Sequence, residues 1–318
     1  MRLLKRETTI PLPDVLDFSS TTQNTLRCPY LIMTFISGIP LYDVWFGHRL
    51  NGASPETTCL CRIRALESVA SAMVQLDKFS FRTGGRLLFG SDGNSSGVGP
   101  MRCVDRKAEL DRWFVHEDPE DDLIYIECAA SSDPKAHYTL MLDRHPEQNQ
   151  VPKGLAMLLR QLISWIPEPS VTDPFVLAHP DFDIQTFIVS EEGEIQGIID
   201  WDGVAAVPRT LGNEGYPGWL TRDWDPAMYG YNESMEHGAE PEGVWEDSPE
   251  SLAYYRGIYD GIMAKHRMER RGGSEANFCH EQLDFEDLVD MFAESNMDDM
   301  VMETLHRNFN ILLSKEGL

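Results

Sequence analysis

His179, Asp181, Asp183, Thr186, Asp200 and Asp202 fall within the most chemically loaded stretch of the chain. It reads His179-Pro180-Asp181-Phe182-Asp183-Ile184-Gln185-Thr186-Phe187-Ile188-Val189, then Ser190 to Glu194, then Ile195-Gln196-Gly197-Ile198-Ile199-Asp200-Trp201-Asp202. Two β-prone runs flank Glu191-Glu192-Gly193-Glu194, the pattern of a hairpin closed by a polar, glycine-containing turn. One carboxylate precedes the hairpin and another ends it. A chain that folds back this way brings Asp181 and Asp200, nineteen positions apart, close together in space. Two carboxylates at one space suit phosphoryl transfer. One accepts the proton of an attacking hydroxyl, and the other offers hard oxygen to Mg²⁺ against the phosphate oxygens. Asp183 and Asp202 read more readily as solvated or capping carboxylates, and an isolated His-x-Asp as a loop or core histidine.

The elements that must position this segment are legible as patterns. The first 27 residues, with Ile10-Pro11-Leu12-Pro13 and a Ser/Thr-rich run, read as an extended segment and a loop. Tyr30 to Ile36 is apolar and β-prone, closed by Ser37-Gly38, and reads as a buried strand leading into a linker. From Pro55 to Phe79, Leu60, Ile63, Leu66, Val69, Ala70, Met73, Val74 and Leu76 recur at helical spacing. Gly84 to Gly99 lacks Gly-Lys-Ser/Thr and reads as a hairpin-like excursion rather than a phosphate-cradling loop. Residues 105–150 are charge-rich and irregular with helical stretches. Leu155 to Ile166 is a second core helix, stopped by Pro167 and Pro169 before the short apolar run Phe175 to Ala178. Gly203 to Pro249 reads as a long loop, followed by helical blocks at about 250–270 and 283–313. The basic cluster Lys265 to Arg271 suits a helix C-terminus.

Composition bounds the partners. With 318 residues and 42% hydrophobic content the chain can bury a core, as one large domain or two lobes. A formal net charge of −25 repels a phosphate backbone, which argues against nucleic acid. It attracts cations, although acidity is also an ordinary solubility device. The six cysteines form no CxxC pair and have no zinc-spaced histidine, so buried free thiols are expected. No apolar run of signal-peptide or membrane-spanning length follows Met1, and the expectation is a cytoplasmic protein away from the membrane.

The catalytic-looking segment resembles the aminoglycoside phosphotransferase and choline-kinase-like family, whose loop is His-x-Asp with an Asn five residues after the Asp, then a hairpin ending in Ile-Asp-Trp. Pro180 and Asp183 look like the variant common in fungal members, and Ile10-Pro11-Leu12-Pro13 resembles the family's Ile-Pro-Val-Pro approach to its fourth N-lobe strand. The resemblance spans about residues 1–210. It implies an α+β, protein-kinase-like fold with a largely α-helical C-lobe and a reduced N-lobe β-sheet. Residues 1–36 would be the N-lobe remnant with the last strands and hinge. Residues 37–318 would be the C-lobe, with the catalytic loop at 179–186 and the metal-binding hairpin end at 198–202. By the same resemblance Asp181 is the catalytic base, His179 a loop organiser and Asp200 a metal ligand. The backbone of Met33, Thr34, Phe35 and Ile36 holds adenine. ATP is the donor, Mg²⁺ the cofactor and a small hydroxylated molecule the acceptor, a cation being favoured by the acidic surface.

Two departures qualify what the resemblance implies. Thr186 stands where the family has Asn, leaving a hydroxyl as the second metal ligand. The glycine-rich hairpin, phosphate-binding Lys and helix Glu that should precede Ile10 are missing, since only nine residues lie before it, and Lys5 and Glu7 fall too late to take those roles. An N-terminally truncated member would orient the β- and γ-phosphates poorly and transfer slowly by itself. Two functions therefore stand side by side: a phosphotransferase acting on an alcohol group, and a pseudokinase or scaffold that binds small molecules or partners without catalysis. A start codon assigned too far downstream would restore the first.

Overall fold

The computed structural model describes residues 1–90, 93–115, 124–143, 150–166, 171–209, 211–212, 215–224 and 229–270. In chain order these form α1 (Arg2–Glu7), β1 (Val15–Ser19), β2 (Tyr30–Met33), β3 (Ile39–Pro40), α2 (Leu41–Trp45), α3 (Gly47–Leu50) and α4 (Pro55–Met73). There follow β4 (Ser80–Phe81), β5 (Gly85–Phe89), β6 (Ser95–Gly99), β7 (Met101–Val104), α5 (Arg106–Phe114), β8 (Tyr125–Cys128), α6 (Pro134–Asp143) and α7 (Gln150–Trp165). The chain then runs through β9 (Phe175–Ala178), β10 (Phe187–Val189), β11 (Ile195–Ile198), β12 (Ala205–Pro208) and α8 (Pro249–Arg270). The class is α+β. An antiparallel five-stranded sheet in the order β4-β9-β12-β5-β6 lies beside a small sheet β11-β10-β3 and the separate ribbons β1-β2 and β7-β8.

α4 is the spine. Ser54 caps it by accepting the Thr57 N–H at 3.1 Å, and Pro55 at the first position has no N–H to leave unpaired. Its buried face is Thr58, Cys61, Arg62, Ala65, Leu66, Val69, Ala70 and Met73. The helix is the one its periodicity implies, with a correction of phase: Leu60 faces solvent. A short 3₁₀ stretch (Val74–Lys78) continues it, so the element ends close to Phe79. The core that packs on α4 includes Leu4, Ile10 and Leu12 from the N-terminus, Phe187, Val189 and Ile198 from the hairpin, and Trp45, Trp219, Tyr255 and Tyr259.

Residues far apart in sequence are pinned by a buried ionic network. Asp247 accepts the Trp45 indole N–H at 2.6 Å and the Arg62 guanidinium at 3.1 Å, and Arg62 also donates to the Trp45 carbonyl at 2.7 Å. The Arg62 guanidinium sits over the rings of Trp45, Phe46 and Tyr255. Arg49 donates to the Glu246 carbonyl at 2.6 Å, which fastens the same strap at a second point.

Several sequence expectations need correction. The first residues are helical at α1 and stranded at β1, because Leu4 has a place in the core that an isolated segment would lack. Tyr30 to Ile36 is a strand only over Tyr30–Met33 and is not buried. β2 pairs with β1 alone, so Leu31 and Ile32 stay exposed and Phe35 is 91% exposed. β12 emerges inside the expected loop, because Ala205 to Pro208 finds β9 on one side and, through Ala205 and Ala206, β5 on the other. β8 forms within the stretch 105–150 that reads as irregular, pairing with β7 just before it. The hairpin expected at 84–99 forms as β5 and β6. Cys61 and Cys128 are buried free thiols, whereas Cys28 is exposed and Cys59 half-buried. The helix expected at 283–313 lies outside the described residues.

Gly193, in the tight turn between β10 and β11, tests how the hairpin seats on α4. Its φ is +92°, and a Cβ there would stand 2.3 Å from the Cys61 carbonyl oxygen. Gly193→Ala should destabilise the chain by about 2–4 kcal/mol, read by urea denaturation. Gly257→Ala, in α8 with open space around it, should instead stabilise by roughly 0.5–1 kcal/mol.

Candidate active site

The fully buried strand β9 gives the site a rigid base, and His179 follows it directly. Asp181 comes next, exposed at the surface. The chain then makes one 3₁₀ turn, Ile184–Thr186, into β10. Asp183 caps it, its Oδ1 accepting the Ile184 N–H at 2.7 Å. Asp183 is therefore a capping carboxylate, and its other oxygen is paired with Arg222. Burial raises its pKa, with Arg222 acting in the opposite sense.

β10 and β11 pair antiparallel with Phe187 opposite Ile198, and the Ile199 N–H donates to the Thr186 carbonyl at 3.0 Å, extending the ladder toward the loop. The next residue, Asp200, is exposed and has φ +58°, a left-handed conformation uncommon for a side chain other than glycine. Backbone strain there turns the chain out of the strand at the carboxylate. Trp201 then drops into the core, its indole N–H donating to the Ile198 carbonyl at 3.0 Å.

His179 ties the two segments together. Its Nε2 lies 2.7 Å from the Ile199 carbonyl oxygen, and its Nδ1 accepts the Asp181 N–H at 3.2 Å. Those partners assign the tautomer: Nε2 must carry the proton because a carbonyl only accepts, and Nδ1 must be bare because an amide only donates. The ring stands edge-on to Trp201 at 4.6 Å between centroids. Burial lowers the His179 pKa, while the charges of both Asp181 and Asp200 pull it upward, so one imidazole lies within the electrostatic reach of both carboxylates. A neutral ring is what the hydrogen bonds require.

Thr186 is fully buried, and its hydroxyl donates to the Asp183 carbonyl at 2.9 Å. An ion reaching that oxygen would have to displace an internal hydrogen bond. Of the expected nucleotide segment, Met33, Thr34 and Ile36 are half-buried and Phe35 is exposed. The Thr34 N–H donates to the Asp14 carbonyl at 2.9 Å, and the Thr34 hydroxyl accepts the Asp14 N–H at 2.8 Å. Ile36 lies against Gly197, where a Cβ would meet its Cδ1 at 2.2 Å, and the Ile198 N–H donates to the Pro11 carbonyl at 2.9 Å. The segment thus runs beside the hairpin that ends at Asp200.

Sequence reasoning missed three residues here. Arg222 sits in a Gly-, Pro- and Trp-rich loop that offers no positional signal, and only the fold brings it to Asp183. Gln185 donates its amide to Asp181 Oδ2 at 2.9 Å, and counting within the motif could have found it. Glu246 is 6% exposed and neighbours Arg222, Asp247 and Asp183. The tryptophans of the 216–226 stretch act as loop anchors: Trp219 packs against Trp45, Phe182 and Phe187, and Trp224 lies beneath Arg256.

No family model and no curated protein matches the chain. Solved structures similar to it include a thermostable mutant of aminoglycoside phosphotransferase APH(4)-Ia in its apo form, at 14% identity, covering 100% of this chain and 83% of that one, with a TM-score of 0.39. An aminoglycoside-3'-phosphotransferase of type VIII is 14% identical, with coverage of 92% and 77% and a TM-score of 0.40. A glucosamine kinase is 12% identical, with coverage of 99% and 67% and a TM-score of 0.39. Likenesses at this level carry no functional argument, and the weight falls on the residues themselves.

Glu246 supplies a pH test of the site's electrostatics. Burial pushes its pKa from 4.5 up to about 7, Arg222 opposing and Asp247 and Asp183 adding to the rise. The folded chain therefore holds a proton that the unfolded chain has released between those values, and stability falls as pH rises through that window. Glu246→Gln should raise stability at pH 8 by on the order of 1–2 kcal/mol, with the gain vanishing near pH 4. Thermal melts across pH would show it.

Proposed function

We propose that this chain is a protein-kinase-like phosphotransferase of the aminoglycoside and choline-kinase type, transferring the γ-phosphate of ATP to a hydroxyl of a small molecule. The observation that carries the reading is the His179 imidazole, hydrogen-bonded at one nitrogen to the segment bearing Asp181 and at the other to the segment bearing Asp200. Asp181, exposed beside it, takes the proton of the attacking hydroxyl. Asp200 holds Mg²⁺. The backbone of Phe35 and Ile36, with Met33 and Thr34, flanks the adenine; the Thr34 N–H is already donated to Asp14.

The donor set fits magnesium. Among the described residues no three His, Cys, Asp or Glu side chains gather as a cage. Mg²⁺ commonly uses one or two carboxylates and completes its shell with phosphate oxygens and water. When bound, the ion neutralises charge developing on the phosphoryl oxygens. The chain's own part is to hold Asp200 in a strained turn, keep His179 neutral by burial, and leave the Asp181 carboxylate open to solvent.

A second reading, a scaffold that binds without catalysis, is favoured by the engagement of the N-terminal charges. Lys5 is paired with Asp14 at 2.5 Å and with the Leu12 carbonyl at 3.2 Å, and Glu7 with Lys78 at 3.2 Å. Two measurements separate the readings. Millimolar Mg·ATP should raise the melting temperature, because a ligand of the native state alone stabilises it. Asp181→Asn should abolish nucleotide turnover with the fold and the thermal shift retained. A thermal shift without turnover by the unaltered chain would favour the scaffold. Turnover that survives Asp181→Asn would reject Asp181 as the base.

A further inference from the structure

We propose that the side-chain oxygen of Gln185, rather than the hydroxyl of Thr186, is the second protein ligand to the metal beside Asp200; this rests on the phosphotransferase reading above.

Burial separates the two side chains. The hydroxyl at 186 is sealed in the core and committed to the Asp183 carbonyl, whereas Asp181, Gln185 and Asp200 are all exposed. Strand register then sets the neighbours. Phe187 stands opposite Ile198 and the Ile199 N–H donates to the Thr186 carbonyl, so Gln185 and Asp200 are the residues that flank this last bond between the two segments. Within the 3₁₀ turn Thr186 is buried whereas Gln185 is exposed, as the two carboxylates are.

The Gln185 amide has a defined polarity. Gln185 lies 2.9 Å from Asp181 Oδ2 through Nε2. An ionised carboxylate can only accept, so the NH₂ end must face Asp181 and the carbonyl end must point elsewhere. That carbonyl is a hard, neutral oxygen of the type Mg²⁺ accepts. One side chain thereby does two things. Its NH₂ fixes one oxygen of the base and leaves the other for the acceptor's proton, and its oxygen, not engaged by Asp181, is the ligand offered to the ion. The carboxamide that the sequence lacks at position 186 is present one residue earlier, where the 3₁₀ turn at 184–186 shifts which side chain reaches the surface.

The test uses the full chain with Mn²⁺ and AMP-PNP, reading bound Mn²⁺ by electron paramagnetic resonance rather than turnover. Gln185→Ala should weaken Mn²⁺ binding about tenfold or more. Gln185→Glu, which keeps an oxygen there but loses the donor to Asp181, should bind Mn²⁺ at least as well as the unaltered chain. Thr186→Val, close in shape, should leave the affinity unchanged. Wild-type affinity in Gln185→Ala, or its loss in Thr186→Val, overturns the assignment. Asp200→Ala is measured alongside. If it loses Mn²⁺ while Gln185→Ala does not, only the Gln185 ligand falls. If neither matters, or the unaltered chain binds no Mn²⁺, the phosphotransferase reading falls with it.

Discussion

One imidazole holds the chemistry together. The loop after β9 and the end of the β10–β11 hairpin share no strand ladder at their carboxylates, and His179 is the piece between them, donating to Ile199 and accepting from Asp181. The arrangement works only with a neutral ring, since a protonated Nδ1 would present N–H to N–H. Burial supplies that neutrality, and it does so against two nearby carboxylates that favour the charged form.

Around that tie the fold stacks constraints of decreasing locality. Trp201 fixes the hairpin end by dropping into the core immediately after Asp200, so the strained backbone at Asp200 is held by packing on one side and a strand on the other. Asp183 and Arg222 then join the loop to a segment nearly forty residues later. Furthest out, Arg62, Trp45 and Asp247 fasten residues 245–248 to α4 across more than 180 positions. A buried pair of this kind adds little net stability over apolar packing, but breaking one side leaves a charge stranded, which makes the strap's position unambiguous.

The exposed β1–β2 ribbon contrasts with this order. Its apolar side chains, Leu16, Phe18, Leu31 and Ile32, are open to solvent because no third strand covers them among the described residues. The stretch to Ile36, proposed to flank the adenine, continues directly from this ribbon, and its anchoring comes instead from Ile36 on Gly197 and Thr34 on Asp14. The two sides of the site thus differ in how they are supported. The loop and hairpin rest on the core, while the stretch from Thr34 to Ile36 rests on a few local contacts.

Local pattern determined the hairpin, the spine helix and the placing of Asp181 and Asp200 at the two ends of the ribbon, because each rests on a short-range rule: alternation about a glycine turn, recurrence at three and four, a carboxylate at each end of a ribbon. Tertiary structure decided what those rules leave open. It set α4's phase so that Leu60 faces water, turned Ala205 to Pro208 into a central strand despite weak strand-forming residues, and left Tyr30 to Met33 uncovered where apolar composition implied burial. It also brought Arg222 and Glu246 to the loop and put Thr186 inside with Gln185 outside. Burial depends on which distant segment arrives at a given face, and a sequence states the preference of each face without naming the segment that covers it.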